Sequence, residues 1–321
     1  MWHVETSGTT QSINLVAHSF GRKFVNSGDE VIISNIEHHA NIVPWQVLCD
    51  EKGAKLKVIP VADNGELIME EYDKLLTNKT RVVAVNHVSN ALGTINPVNE
   101  ITRKAHAVGA KVLIDGAQST PHMKVDVQDI DCDFYTFSGH KMYAPSGIGG
   151  MFGKMEVMET MPPYVTGGDM IMQVTLEKST YAKPPARFEA GTPPISQVIG
   201  LGAAIDYLNS VGMDKIFEYE KSLLDYGTQL LNDIEGVRII GNAKEKAAIL
   251  SIYLEAAHPH DMITMLDQDG IALRGGHHCA QPTMIRFGVP ATARASMAFY
   301  NKFSEIDALA DSLRKVIKLF S

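Results

Sequence analysis

Four segments of this sequence place reactive side chains where a short apolar run ends. Asp115 follows 111–114 and leads into Gly116-Ala117-Gln118, and His38 and His39 follow 31–36. Asn90 follows 81–85 within His87-Val88-Ser89-Asn90, and Lys141 ends Ser138-Gly139-His140-Lys141 after 134–137. If the runs are parallel strands, ligands bind beyond their carboxyl ends, so an acid, a histidine, an amide and a lysine face one crevice. A lysine there, lowered in pKa by burial and by a cationic neighbour, is a nucleophilic amine suited to a Schiff base.

That chemistry points to pyridoxal phosphate (PLP). Its protonated ring is the electron sink, so the pyridine nitrogen needs a carboxylate, and Asp115 is the acid at such a strand end in this part of the chain. The phosphate needs donors. Thr9 and Thr10, opening a helical pattern, offer backbone N–H groups and a favourable dipole, and Ser138 and His140 add side-chain donors. Singly, each feature has a plain structural reading: a solvated lysine, an aspartate in a turn, a threonine as N-cap. Their joint appearance in this order carries the case.

A second group lies far along the chain, in Arg274-Gly275-Gly276-His277-His278-Cys279-Ala280-Gln281-Pro282. A thiol in a Gly-containing loop is mobile and exposed, as a nucleophile requires, and the neighbouring histidines could help to deprotonate it. Zinc binding by His277, His278 and Cys279 is disfavoured, because structural sites space their ligands more widely and no second Cys/His pair is in place. The expectation is no metal. His258 and His260 read as a helix entry, and Cys49 and Cys132 as packing or surface residues. Arg294, before an apolar strand-like run at 297–300, has the fork that binds a carboxylate at two points; its plain reading is a salt-bridge partner.

The elements that must position these residues follow from periodicity. Ile13, Val16, Ala17, Phe20 and Phe24 show helical spacing with a threonine available as N-cap. Strands are expected at 31–36, 56–60, 81–85 and 111–114, and helices at 43–51, 70–76 and 97–108. Such alternation indicates a parallel α/β sheet. The pattern breaks into Pro- and Gly-rich loops over 150–194, then resumes with helices at 197–211 and 216–234. Strands at 237–240 and 248–254, a helix at 261–269, a short strand at 271–273 and a last helix carrying Ile306, Leu309, Leu313 and Ile317 complete it. Two domains are expected, 1–210 and 211–321, the second carrying the thiol loop.

Composition narrows the class. A chain of 321 residues, 45% hydrophobic, buries a large core and lies near the length at which single cores divide. A net charge of -8 without a Lys/Arg stripe argues against nucleic acid. The apolar runs are too short for a bilayer span, and no signal-peptide pattern is visible. Three cysteines are a sparse, odd set, which fits a reducing, cytoplasmic compartment.

Taken together, Glu37-His38-His39-Ala40-Asn41, Asp115-Gly116-Ala117-Gln118, Ser138-Gly139-His140-Lys141, Arg187-Phe188-Glu189-Ala190-Gly191-Thr192 and Gly276-His277-His278-Cys279-Ala280 resemble the Suf-type (group II) cysteine desulfurases, also called selenocysteine lyases, along essentially the whole chain. The resemblance implies the fold-type-I, aspartate aminotransferase-like architecture and a homodimer with its active site near the subunit interface. It implies that Lys141 carries PLP as a Schiff base and that Asp115 pairs with the pyridine nitrogen. His38 would stack on the ring, and Asn90 and Gln118 would lie near its phenolic oxygen. Thr10, Ser138 and His140 would hold the phosphate, with Thr9 at the same helix start and Thr192 reaching across from the other subunit. Arg294 would bind the substrate carboxylate, with Asn90 and Arg274 also placed at the substrate. Cys279 would take sulfur from L-cysteine, or selenium from L-selenocysteine, releasing alanine. The short loop around Cys279 implies delivery to a dedicated acceptor protein, for iron–sulfur cluster assembly. The chain departs from the family at Ser7 (usually Arg), Gln11 (commonly Glu), Gly275 and Lys302 (usually Thr), and by lacking the family's N-terminal segment. The rival readings are another PLP reaction on this fold (aminotransferase, kynureninase-like hydrolase or epimerase) and a silent, truncated homologue that acts through binding.

Overall fold

Val31, Ile33, Val82, Ala84 and Leu113 point into one apolar layer, and Ile32, Val83, Val85, Val112 and Ile114 into another. Strands buried on both faces are apolar without interruption, which is why these runs read as continuous rather than alternating. The computed structural model describes residues 3–320; Met1, Trp2 and Ser321, the outer ends of the two expected domains, lie outside the described residues. The strands of the large sheet are β1 (His3–Thr6), β2 (Glu30–Ser34), β3 (Lys55–Ile59), β4 (Thr80–Asn86), β5 (Lys111–Asp115), β6 (Phe134–Ser138) and β7 (Gly149–Gly153). Their order is β1-β7-β6-β5-β4-β2-β3. The five from β2 to β6 are parallel, and β7 and β1 close one edge antiparallel. The chain reverses its direction of winding between β2 and β4, so a crevice opens beyond their carboxyl ends.

Helices α1 (Thr9–Val16), α2 (Arg22–Phe24), α3 (Val43–Lys52), α4 (Met69–Leu75), α5 (Val98–Ala107), α6 (Val127–Ile130) and α7 (Met155–Met158) cover the sheet, with one π-helical turn, Ala17–Gly21, joining α1 to α2. The α1 N-cap is Gly8, with no side-chain cap, rather than the expected threonine. Only glycine fits there: φ is 140°, a Cβ would stand 3.1 Å from Ser138 Oγ, and Gly149 packs directly against its Cα.

The expected loop region 150–194 holds more order than its composition suggested. β7 lies at its start, and a hairpin of β8 (Ile171–Val174) and β9 (Ser179–Tyr181) follows. Two long helices, α8 (Ile195–Val211) and α9 (Met213–Asn232), lead to a second, antiparallel sheet of β10 (Val237–Ile240), β11 (Ile249–Leu254), β12 (Arg274–Gly276) and β13 (Thr292–Ser296), in the order β10-β11-β13-β12. Here α10 (Pro259–Gln268), α11 (Gln281–Arg286) and α12 (Phe303–Phe320) complete the chain. The short strand expected at 271–273 lies just later, at β12. The strand near Arg294 is β13 itself, whereas 297–300 is not a strand. Leu223, Leu250, Leu266 and Leu313 form this sheet's own core. Ala280, Met284 and Val289, around α11, instead join the core of the large sheet.

Where the two sheets meet, Ile95 N–H donates to Glu245 O (3.0 Å) and Ala247 N–H to Gly93 O (2.9 Å). Between them Lys246 is 8% exposed, and its Nζ donates to Gly241 O. Among the described residues no carboxylate pairs with it, and burial pushes its pKa down to about 8 from 10.5. A lysine with a depressed folded-state pKa penalises the fold while charged, so the penalty is full below about 8 and fades as pH rises to 10.5. Lys246→Met is therefore expected to stabilise the protein by about 2 kcal/mol at pH 7, after allowing about 1 kcal/mol for the lost hydrogen bond. Thermal melts should show the gap closing by pH 10; a variant less stable at pH 7 would refute this.

Candidate active site

Beyond the carboxyl ends of β2, β4, β5 and β6 lies a cavity of about 150 Å³. Its walls bring together Thr9, Thr10, His38, Asn90, Asp115, Gln118, Ser138, His140 and Lys141, all expected at one site from the sequence. Thr192 is not among them; it is exposed beside a separate hollow with Ser7, Gln11 and Glu189.

Asp115 ends β5, fully inside, and accepts the Ala117 N–H on Oδ1 at 2.9 Å. Gly116 permits this turn, because a Cβ there would overlap the Tyr135 ring at 2.1 Å. Burial raises the Asp115 pKa while the charge of Lys141 opposes the rise. Lys141 shows the mirror effect: burial lowers its pKa, Asp115 opposes, and Arg294 and Arg274 add to the lowering. Each group's charge thus favours the charged form of the other within one buried cavity. The amine that burial makes easier to deprotonate suits a Schiff base, and a carboxylate kept ionised by a cationic neighbour suits a protonated ring nitrogen.

His38 stands between β2 and the short turn His39–Asn41. Burial, then the charge of Lys141, push its pKa down to about 4, so the ring is neutral. Nδ1 accepts the Ala40 N–H at 3.0 Å, which leaves the proton on Nε2. Ser138 Oγ is already engaged: it accepts the Thr9 N–H at 2.9 Å and donates to Thr9 Oγ1 at 3.0 Å. The Thr9 N–H is thus taken, whereas its hydroxyl keeps a proton to donate and the first-turn N–H of Thr10 has no intrahelical acceptor.

The second group arrives from the smaller sheet. Asn90 Nδ2 donates to His278 O at 2.7 Å, and Asn90 O accepts from Arg294 Nη1 at 2.7 Å. Asn90 Oδ1 and Arg294 Nε are buried without a partner, a free acceptor and a free donor beside the cavity. Arg274 and Arg294 face each other across β12 and β13. Like charges directly opposite are destabilising, and among the described residues no acid pairs with either, so the pair is built for an anion. Arg274 Nη2 also reaches Cys279 Sγ at 3.8 Å, which places it at the thiol as well as near Arg294. Cys279 is partly exposed, whereas Cys49 and Cys132 are buried, as their apolar and loop settings allowed.

Sequence reasoning assigned no role to Glu37, which lies inside at 0% exposure. It accepts from Ser34 Oγ, from Asn41 Nδ2 at 2.8 Å and from Asn86 N–H at 3.1 Å, tying the end of β2 to the end of β4. Desolvation pushes its pKa up to about 8. Its place beside His38 in the chain was the available signal. Among the described residues, no cluster of His, Cys, Asp and Glu is placed to hold a metal, and no helix is long and apolar enough to cross a membrane.

Residues 4–309 match the family model described as aminotransferase class-V. A cysteine desulfurase from Synechococcus elongatus is 52% identical over 309 residues, 96% of this chain and 49% of that protein. One from Dickeya dadantii is 50% identical over 313 residues, 97% of this chain and 76% of that protein. The chain thus spans about half the length of the first relative and three-quarters of the second. The crystal structure of the cysteine desulfurase CsdA, in its S-sulfonic acid form, from Escherichia coli superposes with a TM-score of 0.96 at 38% identity, covering 99% of this chain and 79% of that one.

Proposed function

The chain belongs to the aminotransferase class-V family, and on that premise we propose that it is a PLP-dependent cysteine desulfurase. The observation that carries this reading is the buried Asp115–Lys141 pair in one cavity, with the Cys279 thiol and two acid-free arginines brought in from the other sheet.

The cavity fits PLP. Lys141 would hold its aldehyde carbon and Asp115 its pyridine nitrogen. The neutral His38 ring would lie on its face, and Asn90, whose Oδ1 lacks a partner, would lie with Gln118 near the phenolic oxygen. Thr10, Ser138 and His140 would hold the phosphate, and the exposed position of Thr192 suits completion of that site by a second copy in a homodimer. When bound, PLP supplies an electron sink for bonds at the substrate α-carbon. Arg294, with its unpartnered Nε, binds the substrate carboxylate, assisted by Arg274. Lys141 Nζ, once free, moves the α-proton, helped by its lowered pKa. Cys279 Sγ accepts the substrate sulfur. The reaction balances without an external oxidant: L-cysteine and an enzyme thiol give L-alanine and an enzyme persulfide.

The compact turn around Cys279 supports the group II branch, with L-cysteine or L-selenocysteine as substrate and delivery to a Suf-type acceptor for iron–sulfur assembly. Three unpaired thiols support a cytoplasmic address. Residues 1–210 are read as the PLP-binding unit and 211–321 as the smaller unit; Gly212, the break between α8 and α9, supports that division. The test is to supply the holoenzyme with L-cysteine and a thiol reductant. Equimolar alanine and sulfide are expected, whereas a keto acid without sulfide would replace this reading with an aminotransferase.

A further inference from the structure

His278 and Cys279 have φ of 54° and 55°, two consecutive left-handed residues that both carry a Cβ. Such a turn persists only where its surroundings over-determine it. Here the surroundings belong largely to the other sheet. His39, beyond the end of β2, donates its backbone N–H to Cys279 O at 2.7 Å, and its ring Nε2 accepts the Gln281 N–H at 3.2 Å. One residue thus grips the chain on both sides of Ala280. The His39 ring also packs 5.5 Å from that of His277, whose Nδ1 accepts the Cys279 N–H at 3.2 Å.

We propose that His39 is the positioning residue for Cys279: its N–H and its ring nitrogen together clamp the 279–281 turn to the end of β2 and set where the sulfur stands over the cavity. The inference rests on the reading of Cys279 as the sulfur acceptor. The clamp requires a neutral ring with its proton on Nδ1, and burial with the neighbouring His277 lowers the His39 pKa in that direction. The backbone contact survives substitution, whereas the ring contact does not. The left-handed pair favours opening, so the ring contact decides how long the thiol stays turned in, between taking sulfur and presenting it outward.

The test is the rate of iodoacetamide labelling at Cys279, read by peptide mass spectrometry, in H39A, H39N and H39Q of the PLP-loaded protein. Losing one hydrogen bond shifts an open–closed balance by about tenfold, so H39A and H39N should label about tenfold faster than the parent. Gln places an acceptor where Nε2 stands, so H39Q should label within about twofold of the parent. The buried Cys49 and Cys132 report unfolding: if they label in H39A, the comparison of H39N with H39Q carries the test. Parent-like labelling in H39A and H39N, or a Gln variant as fast as Asn, would overturn the proposal. Labelling needs no turnover, so a parent that labels as expected but forms no alanine would refute the desulfurase reading and leave the clamp standing.

Discussion

Lys141→Ala is expected to lower alanine formation from L-cysteine by about 10⁴-fold or more, the scale on which removing a covalent catalytic group acts. The visible absorbance of a Schiff-base-linked PLP should vanish with it. Two physical losses combine. The amine that anchors the cofactor and moves the α-proton is gone, and Asp115 loses the charge that opposes its rise in pKa. A buried carboxyl without that neighbour shifts further toward its neutral form and loses its hold on a protonated ring nitrogen. The two readouts are linked through one residue. A variant that kept both the absorbance and the turnover would remove Lys141 from the site.

Cys279→Ser should separate the cofactor from the sulfur step. Serine has nearly the same shape and meets the left-handed φ of 55° no worse than cysteine, so the turn should hold and the absorbance remain. Persulfide should disappear, and sulfide released to a thiol reductant should fall by about 10²-fold or more. No other cysteine can substitute. Cys49 is buried with its pKa pushed up to about 11, and Cys132 is buried with its pKa pushed up to about 12, so neither presents a thiolate near neutral pH. A serine variant that turned over at the parent rate, with reductant present, would show that the sulfur acceptor lies elsewhere.

The large sheet was legible because both faces of its parallel strands are buried, which leaves runs such as Val82–Val83–Ala84–Val85 unbroken. Strand β7 was not, since Gly149-Gly150-Met151-Phe152-Gly153 has no branched run. It is a strand because β6 and β1 supply partners for its backbone and because its glycines allow Phe137 and Gly8 to lie against it. Local propensity is silent where tertiary pairing decides. The strand expected at 271–273 slipped by a few residues for the same reason: β12 is defined by its pairing with β13, and two of its three residues are glycines.

Within the site, the sequence by itself determined the reactive side chains and the strand ends that carry them. Asp115, His38, Asn90 and Lys141 were found by local pattern, and local pattern is enough because a strand end dictates where its next residue points. Tertiary structure alone decided how the halves meet. It set Arg274 opposite Arg294, made Asn90 the link between the sheets, moved α11 into the core of the large sheet, and placed Cys279 in a left-handed turn that His39 contacts. Apart from the Arg274–Arg294 pairing within one sheet, those relations join residues as far as 188 to 242 positions apart, and contacts at that separation follow from how two sheets pack, which no local run of side chains encodes.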